Sequence, residues 1–230
     1  MVIAAMKFEA ILFDCDGVLV DSESLTNGVL RDMLEESGWS MTLAQCLQYF
    51  VGKAVRDECA EIEARTGRPL TEDWMQTFYR RRNQALSASL QIIAGARAAA
   101  ESAYQHTQGQ IACASGADRF KVEMQLTKVG LMPFFEGRIF SGHEVARSKP
   151  APDVYLAAAR YLGAAPQRCL VIEDTSVGVT AGVAAGATVW AYCPQPALGQ
   201  ALLQAGASQL FDHMGQLPSL LASASAPGQV

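Results

Sequence analysis

The chain has no CxxC pair and no other metal-ligand spacing among its six cysteines, Cys15, Cys46, Cys59, Cys113, Cys169 and Cys193, so a cysteine-built metal site or redox pair is set aside. At least Cys15, Cys113 and Cys169 lie in or beside apolar strand patterns, and the set is expected to be reduced and core-filling. Histidine is scarce: His106, His143 and His213 stand isolated and are expected to be structural or on the surface. There is no stripe of Lys and Arg either. With 18 basic against 23 acidic residues and a net charge of −5, a nucleic-acid or anionic-membrane surface has little support. No segment approaches the roughly 18 apolar residues of a membrane span, and MVIAAMKFEA lacks the apolar core of a signal peptide, so the cytoplasm is the expected location. Internal repeats and low-complexity tracts are missing as well. Small-molecule work is what these absences leave.

What is present is enough apolar material for a full core. At 230 residues and 50% hydrophobic content, the chain suits one large domain or a domain with an insert. Short apolar runs recur at Ala10 to Phe13, Gln110 to Ala114, Arg138 to Phe140, Cys169 to Ile172 and Thr188 to Tyr192. Continuous rather than alternating hydrophobicity suits strands covered on both faces. Helical patterns at Asp118 to Val129, Asp153 to Leu162 and Ser176 to Ala185 separate them. The alternation predicts an α/β fold with a doubly wound parallel sheet.

The interval from Asp21 to about Ser89 breaks the rhythm, since its long periodic segments contain no convincing strand. Thr42 with Gln45 fits a capping box, Thr71 with Glu72 and Asp73 a second helix start, and Gly67-Arg68-Pro69 a stop between helices. We therefore expect a helical insert over residues 21–89 within a discontinuous core of residues 1–20 and 90–230. The tail from Ser223 to Val230 is expected to be loose.

Within FEAILFDCDGVLVDS, the first apolar run feeds directly into Asp14 and Asp16. Side chains two apart in extended backbone point the same way, so both carboxylates can face one pocket while Cys15 turns into the core. Gly17 then lets the chain turn and a ligand approach. Taken alone this is equally an acidic loop. The other strand ends alter the balance. The second run ends at Ser115 and Gly116, offering a hydroxyl and backbone N–H groups at a helix start. Lys149 follows the third in SKPAPD, between residues that stiffen a turn, and the fourth ends at Glu173 and Asp174. In an open parallel sheet all of these meet at the carboxyl edge, where ligands gather.

DCDGVLVDS, ASG, SKPAPDVY and EDTSVGVTAG, in that order and spacing, resemble the four motifs of the haloacid dehalogenase superfamily of phosphohydrolases, in the helical-cap branch of β-phosphoglucomutase and small sugar-phosphate phosphatases. The resemblance covers nearly the whole chain. It implies a Rossmann-like core with a helical cap and a Mg²⁺-dependent phosphatase acting on a small phosphate monoester, a sugar or sugar-acid phosphate. Asp14 would be the nucleophile that forms an aspartyl phosphate and Asp16 the general acid/base. Ser115, Gly116 and Lys149 would hold the phosphoryl group. Asp14, Asp16 through its carbonyl, and Asp174 would bind Mg²⁺, with Glu173 at an acidic position whose metal contact varies among members. In the insert, Val51 to Arg56 resembles the substrate-contacting cap loop, which would offer Lys53 and Arg56 to the substrate. One Mg²⁺ and Lys149 leave the four carboxylates one negative charge in excess, and protonating Asp16 removes it.

Departures from the family pattern bear on the activity. Sugar phosphomutases of this branch carry a histidine and a tryptophan after the first motif, where this chain has Thr26 and Leu30, so a phosphatase is preferred to a β-phosphoglucomutase-type mutase. Gly116 replaces a Ser or Asn, and Ser148 replaces a Gly. A dehalogenase would have no leaving alcohol for Asp16 to serve, and a phosphonate hydrolase would need a cap lysine to form a Schiff base. A phospho-acceptor signalling domain has its acidic pair before the acceptor strand and no insert, the reverse of the order here. An idle sugar-phosphate binder is the other rival. Monomer and dimer are both compatible with the chain.

Overall fold

The computed structural model describes residues 8–225. The backbone divides into two compact units, one built from residues 8–20 and 92–225, the other from Asp21–Gln91.

The first unit holds a six-stranded parallel sheet of β1 (Ala10–Phe13), β4 (Ile111–Ser115), β5 (Ile139–Ser141), β6 (Cys169–Glu173), β7 (Thr188–Tyr192) and β8 (Gln209–Phe211), in the order β5-β4-β1-β6-β7-β8. Every residue of β1, β4 and β6 is buried, as the unbroken apolar runs require of strands covered on both faces. Helices α5 (Ala96–His106), α6 (Arg119–Lys128), α7 (Met132–Phe135), α8 (Asp153–Tyr161), α9 (Ser176–Ala184), α10 (Gly199–Gln204) and α11 (Leu217–Ser225) connect and flank the strands. The α/β expectation is met.

Strand order positions the site. From β1 the chain goes to β4 on one side, while β6 pairs with β1 on the other, so the connections reverse across β1. Such a reversal opens a crevice at the carboxyl ends of the flanking strands. The residues found there are Asp14, which follows β1, Ser115, which ends β4, and Glu173, which ends β6.

Three strands differ from the sequence reading by one residue: β4 and β5 each begin and end one residue later than expected, and β6 runs one residue further, to Glu173. Strand β4 runs to Ser115 and β5 to Ser141, because these two serines pair in register and extend the ladder past the last apolar position. Strand β8 was not expected: it is three residues long, only Phe211 of it is buried, and it lies at the sheet edge.

The second unit is helical, with α1 (Glu23–Glu36), α2 (Leu43–Phe50), α3 (Cys59–Thr66) and α4 (Glu72–Ser89). Its core gathers Leu30, Met33, Leu34, Phe50, Ile62 and Phe78. Thr42 and Gln45 form the expected capping box at α2, Thr71 accepts from Trp74 N at the start of α4, and Gly67 ends α3 in the left-handed conformation. Strands β2 (Val20–Asp21) and β3 (Gln91–Ile92) make a separate two-stranded sheet.

All six cysteines are free, as expected; five are buried, whereas Cys59, the first residue of α3, is exposed and fills no core. Ser223 to Ser225 belong to α11 rather than to a loose tail, and the rest of that tail lies outside the described residues, as does most of MVIAAMKFEA. Among the described residues no helix is long and apolar enough to cross a membrane.

Candidate active site

Asp14 is carried past the end of β1 by a ladder bond from its own N–H to Ile172 O, which ties the start of the acidic turn to β6. The chain then tightens: Leu19 N and Val20 N both donate to Cys15 O, and Gly17 N donates to Val20 O. Gly17 sits at φ +80°, and a β-carbon there would lie 2.0 Å from Asp174 Oδ2. Glycine at this position is therefore required twice, by the left-handed backbone and by the carboxylate packed against it.

Oxygen atoms of Asp14, Glu173 and Asp174 all lie within 4.8 Å of one another. Lys149 joins them. Its Nζ donates to Asp14 Oδ1 at 2.5 Å and to Glu173 Oε1 at 2.7 Å, over the ring of Tyr155. The Lys149–Pro150 peptide that presents it is cis. Burial alone would lower the lysine, but the charges of Asp14 and Glu173 outweigh it and hold the ammonium well above its ordinary range. Burial pushes Asp14 up to about 7, against the pull of Lys149 and with a further push from Glu173 and Asp16.

Glu173 is fully engaged from another direction. Its Oε1 also accepts from Tyr155 OH at 2.7 Å, and its Oε2 accepts from Asp174 N, Thr175 N and Thr175 Oγ1. Burial would raise its carboxyl, but Lys149 and these donors hold it below its ordinary value. Room for the side chain comes from Gly178, where a β-carbon would stand 1.7 Å from Glu173 Oε1. With five donors on two oxygens, Glu173 fixes Lys149 and the turn after β6, which leaves Asp14 and Asp174 as the better cation ligands.

Ser115 is buried, and its Oγ accepts from Ala117 N at 3.1 Å, so the hydroxyl shapes the turn that leads to α6. Asp118 caps that helix by accepting from Lys121 N, and Ser141 Oγ donates to Ala117 O at 2.6 Å. Gly116 and Ser148, the two departures from the family pattern, are neighbours: a β-carbon on Gly116 would lie 3.8 Å from Ser148 Oγ. The same hydroxyl stands 2.6 Å from where a β-carbon of Gly142 would be.

Asp16 has a setting of its own. Its Oδ1 accepts from Lys121 Nζ at 2.8 Å and from Gln125 Nε2 at 2.9 Å, both on α6. Neither residue was anticipated from the sequence, although a lysine and a glutamine four apart on a helix whose adjacent Val122 and Leu126 are buried are a usable signal. Lys121 also alters the charge balance. The four carboxylates face two ammonium groups rather than one, so with a single divalent cation the formal charges cancel, and a proton on Asp16 would leave one positive charge to meet an entering phosphate.

Lys53 and Arg56 lie in the helical unit in partly exposed ion pairs, Lys53 with Glu58 at 3.1 Å and Arg56 with Glu72 at 3.0 Å.

The geometry of the donor set admits a divalent cation. Carboxylate oxygens suit a hard ion, and opposite ligands of Mg²⁺ stand about 4 Å apart, so the 4.8 Å spread needs only a small contraction. The cradle left open by Gly17 brings Asp174 into that spread. The residues fit.

Residues 8–186 match the model of the haloacid dehalogenase-like hydrolases. The chain is 26% identical over 215 residues to a 6-phosphogluconate phosphatase of Escherichia coli, covering 93% of this chain and 95% of that protein. Among solved structures, a HAD family hydrolase from Deinococcus radiodurans with bound phosphate and sodium is 32% identical, with a TM-score of 0.76 and coverage of 97% of this chain and 100% of the other. A putative β-phosphoglucomutase from Thermotoga maritima is 25% identical, with a TM-score of 0.75 and coverage of 94% and 99%.

Proposed function

The chain belongs to the haloacid dehalogenase-like hydrolases, and from that membership we propose that it is a Mg²⁺-dependent phosphatase of sugar or sugar-acid phosphates that works through an aspartyl phosphate on Asp14. Its family, together with relatives that are phosphatases by name, makes it a phosphoric monoester hydrolase. The observation that carries the finer reading is the gathering of Asp14, Glu173 and Asp174 within 4.8 Å around the ammonium of Lys149.

In this reading Asp14, Asp174 and the Asp16 carbonyl hold the cation. Bound there, Mg²⁺ would neutralise the carboxylates and the entering phosphate. Asp14 Oδ attacks phosphorus, an Asp14 O–P bond forms as the P–O bond to the leaving alcohol breaks, and Asp16 gives that alcohol its proton. Water then attacks phosphorus, Asp16 takes its proton, and the Asp14 O–P bond breaks to release inorganic phosphate. Lys149, Ser115 and the backbone at Gly116 balance charge on the equatorial oxygens. Lys53 and Arg56, in the helical unit, are the side chains that this reading offers to the sugar hydroxyls or an acid group.

The substrate class is supported by the 6-phosphogluconate phosphatase that matches 93% of this chain, and the phosphatase over the mutase by Thr26 and Leu30. A panel of about a hundred phosphate esters assayed with Mg²⁺ tests it. Sugar and sugar-acid phosphates should rank first by kcat/KM, and Asp14→Asn should abolish phosphate release. Isomerisation of a hexose phosphate in place of phosphate release would give the mutase reading instead.

A further inference from the structure

Asp16 is gripped from a helix that begins a hundred residues later in the chain. Lys121 Nζ and Gln125 Nε2 converge on the same oxygen, Oδ1, at 2.8 and 2.9 Å. Gln125 is itself oriented, because Cys15 Sγ donates to its Oε1 at 3.6 Å and so turns the amide nitrogen toward Asp16. Cys15 and Asp16, adjacent in the turn, thus both meet the amide of one glutamine. Gln125 is fully buried and the Lys121 side chain is only 7% exposed.

That burial is costly for an amide and an ammonium with no partner. A helix that needed only packing at these positions would carry apolar residues, as it does at Val122 and Leu126. Two donors on one carboxylate oxygen fix both torsions of a short side chain, which a single contact does not.

We propose that Lys121 and Gln125 are positioning residues for Asp16: they hold its carboxyl where it can protonate the leaving alcohol and later deprotonate the attacking water. This rests on the role given to Asp16 above. The proton balance is that of the two displacements: Asp16 loses one proton to the leaving alcohol in the first and regains one from water in the second, while neither Lys121 nor Gln125 changes its own. A misplaced Asp16 harms the first step only for leaving groups that need a proton, and harms the second step for every substrate. Alkyl phosphates need it; p-nitrophenyl phosphate does not.

The test is rapid-quench and stopped-flow kinetics of Lys121→Met, Gln125→Leu and Lys121→Arg with Mg²⁺. With p-nitrophenyl phosphate, Lys121→Met and Gln125→Leu should release a burst of p-nitrophenolate at the wild-type rate, followed by steady turnover slowed on the order of 10- to 100-fold. With glycerol phosphate, kcat should fall by a similar factor and KM by less than about twofold. Lys121→Arg, which keeps the charge and a donor, should recover most of the loss. Partial unfolding lowers the burst amplitude, not the steady rate per burst equivalent, so the ratio of the two isolates positioning from folding. Wild-type or faster steady turnover, or burst rate and steady rate falling together, would overturn the proposal. Asp16→Asn separates the layers: if it still turns over glycerol phosphate, the role of Asp16 fails and the proposal with it. If it is inactive while Lys121→Met and Gln125→Leu match wild type, only the positioning claim falls.

Discussion

A β-carbon at Gly17 would lie 2.0 Å from Asp174 Oδ2, so the first and last acidic turns of the site interlock through the absence of one side chain. Gly17→Ala should destabilise the fold by about 1–2 kcal/mol through the left-handed backbone alone. Displacement of Asp174 should also weaken Mg²⁺ binding at least about tenfold, on the scale seen when groups that support metal ligands are lost. Thermal unfolding and metal titration check the two effects separately, and unchanged metal affinity would remove Asp174 from the cation set.

Asp14 gives a pH prediction with a definite sign. Its folded value is raised from 3.8 to about 7, chiefly by burial, so between those values the folded state holds a proton that the unfolded state has lost. Stability is therefore lost as pH rises from about 4 to about 7 and is level above that. Asp14→Asn removes this dependence. In EDTA, the variant should gain about 2 to 3 kcal/mol relative to wild type between pH 5 and pH 8, measured by denaturant unfolding. An equal difference at both pH values would mean that the buried carboxyl does not titrate there.

Tyr155 OH donates to Glu173 Oε1 at 2.7 Å beneath Lys149, and both residues are buried. Tyr155→Phe should cost about 1.5–3 kcal/mol, the range for a hydrogen bond to a charged group. Gly178→Ala, which would push a methyl group into Glu173, should cost a comparable 1–3 kcal/mol by overpacking. Both variants should retain the phosphorylation of Asp14 at reduced rate, since neither removes a reacting group. Loss of folding cooperativity rather than of stability would contradict this.

Lys53 and Arg56 differ in kind, because their ion pairs with Glu58 and Glu72 are partly exposed. Replacing either with alanine should change stability by less than about 1 kcal/mol. If they meet the substrate, KM for acidic sugar phosphates should rise several-fold while kcat stays within about twofold. Unchanged KM across the ester panel would return them to the solvated surface.

How far the sequence spoke depended on the range of the interaction. Strands β1 and β7 were readable to the residue because a strand covered on both faces has an unbroken apolar run. Caps at Thr42 and Thr71 were readable because both partners lie within three residues. Strand β8 was not, since Gln209 and Leu210 are only half-buried at a sheet edge and carry no such run. Glu173 was visible as an acid, but two of its five donors were not, because Tyr155 and Lys149 reach it across the fold. Lys121 and Gln125 escaped for the same reason: their partner lies more than a hundred residues away, and a charged residue on a helix reads by default as solvated.

The central claim is that Asp14 takes the phosphoryl group. Wild-type protein mixed with Mg²⁺ and p-nitrophenyl phosphate, quenched in acid within the first turnover and digested with pepsin at acid pH, should yield a peptide spanning Asp14 that is heavier by one phosphoryl group, with the modification on Asp14 and lost on treatment with hydroxylamine. An unmodified Asp14 peptide in protein that is releasing phosphate, or a phosphoryl group on any other residue, would contradict the account.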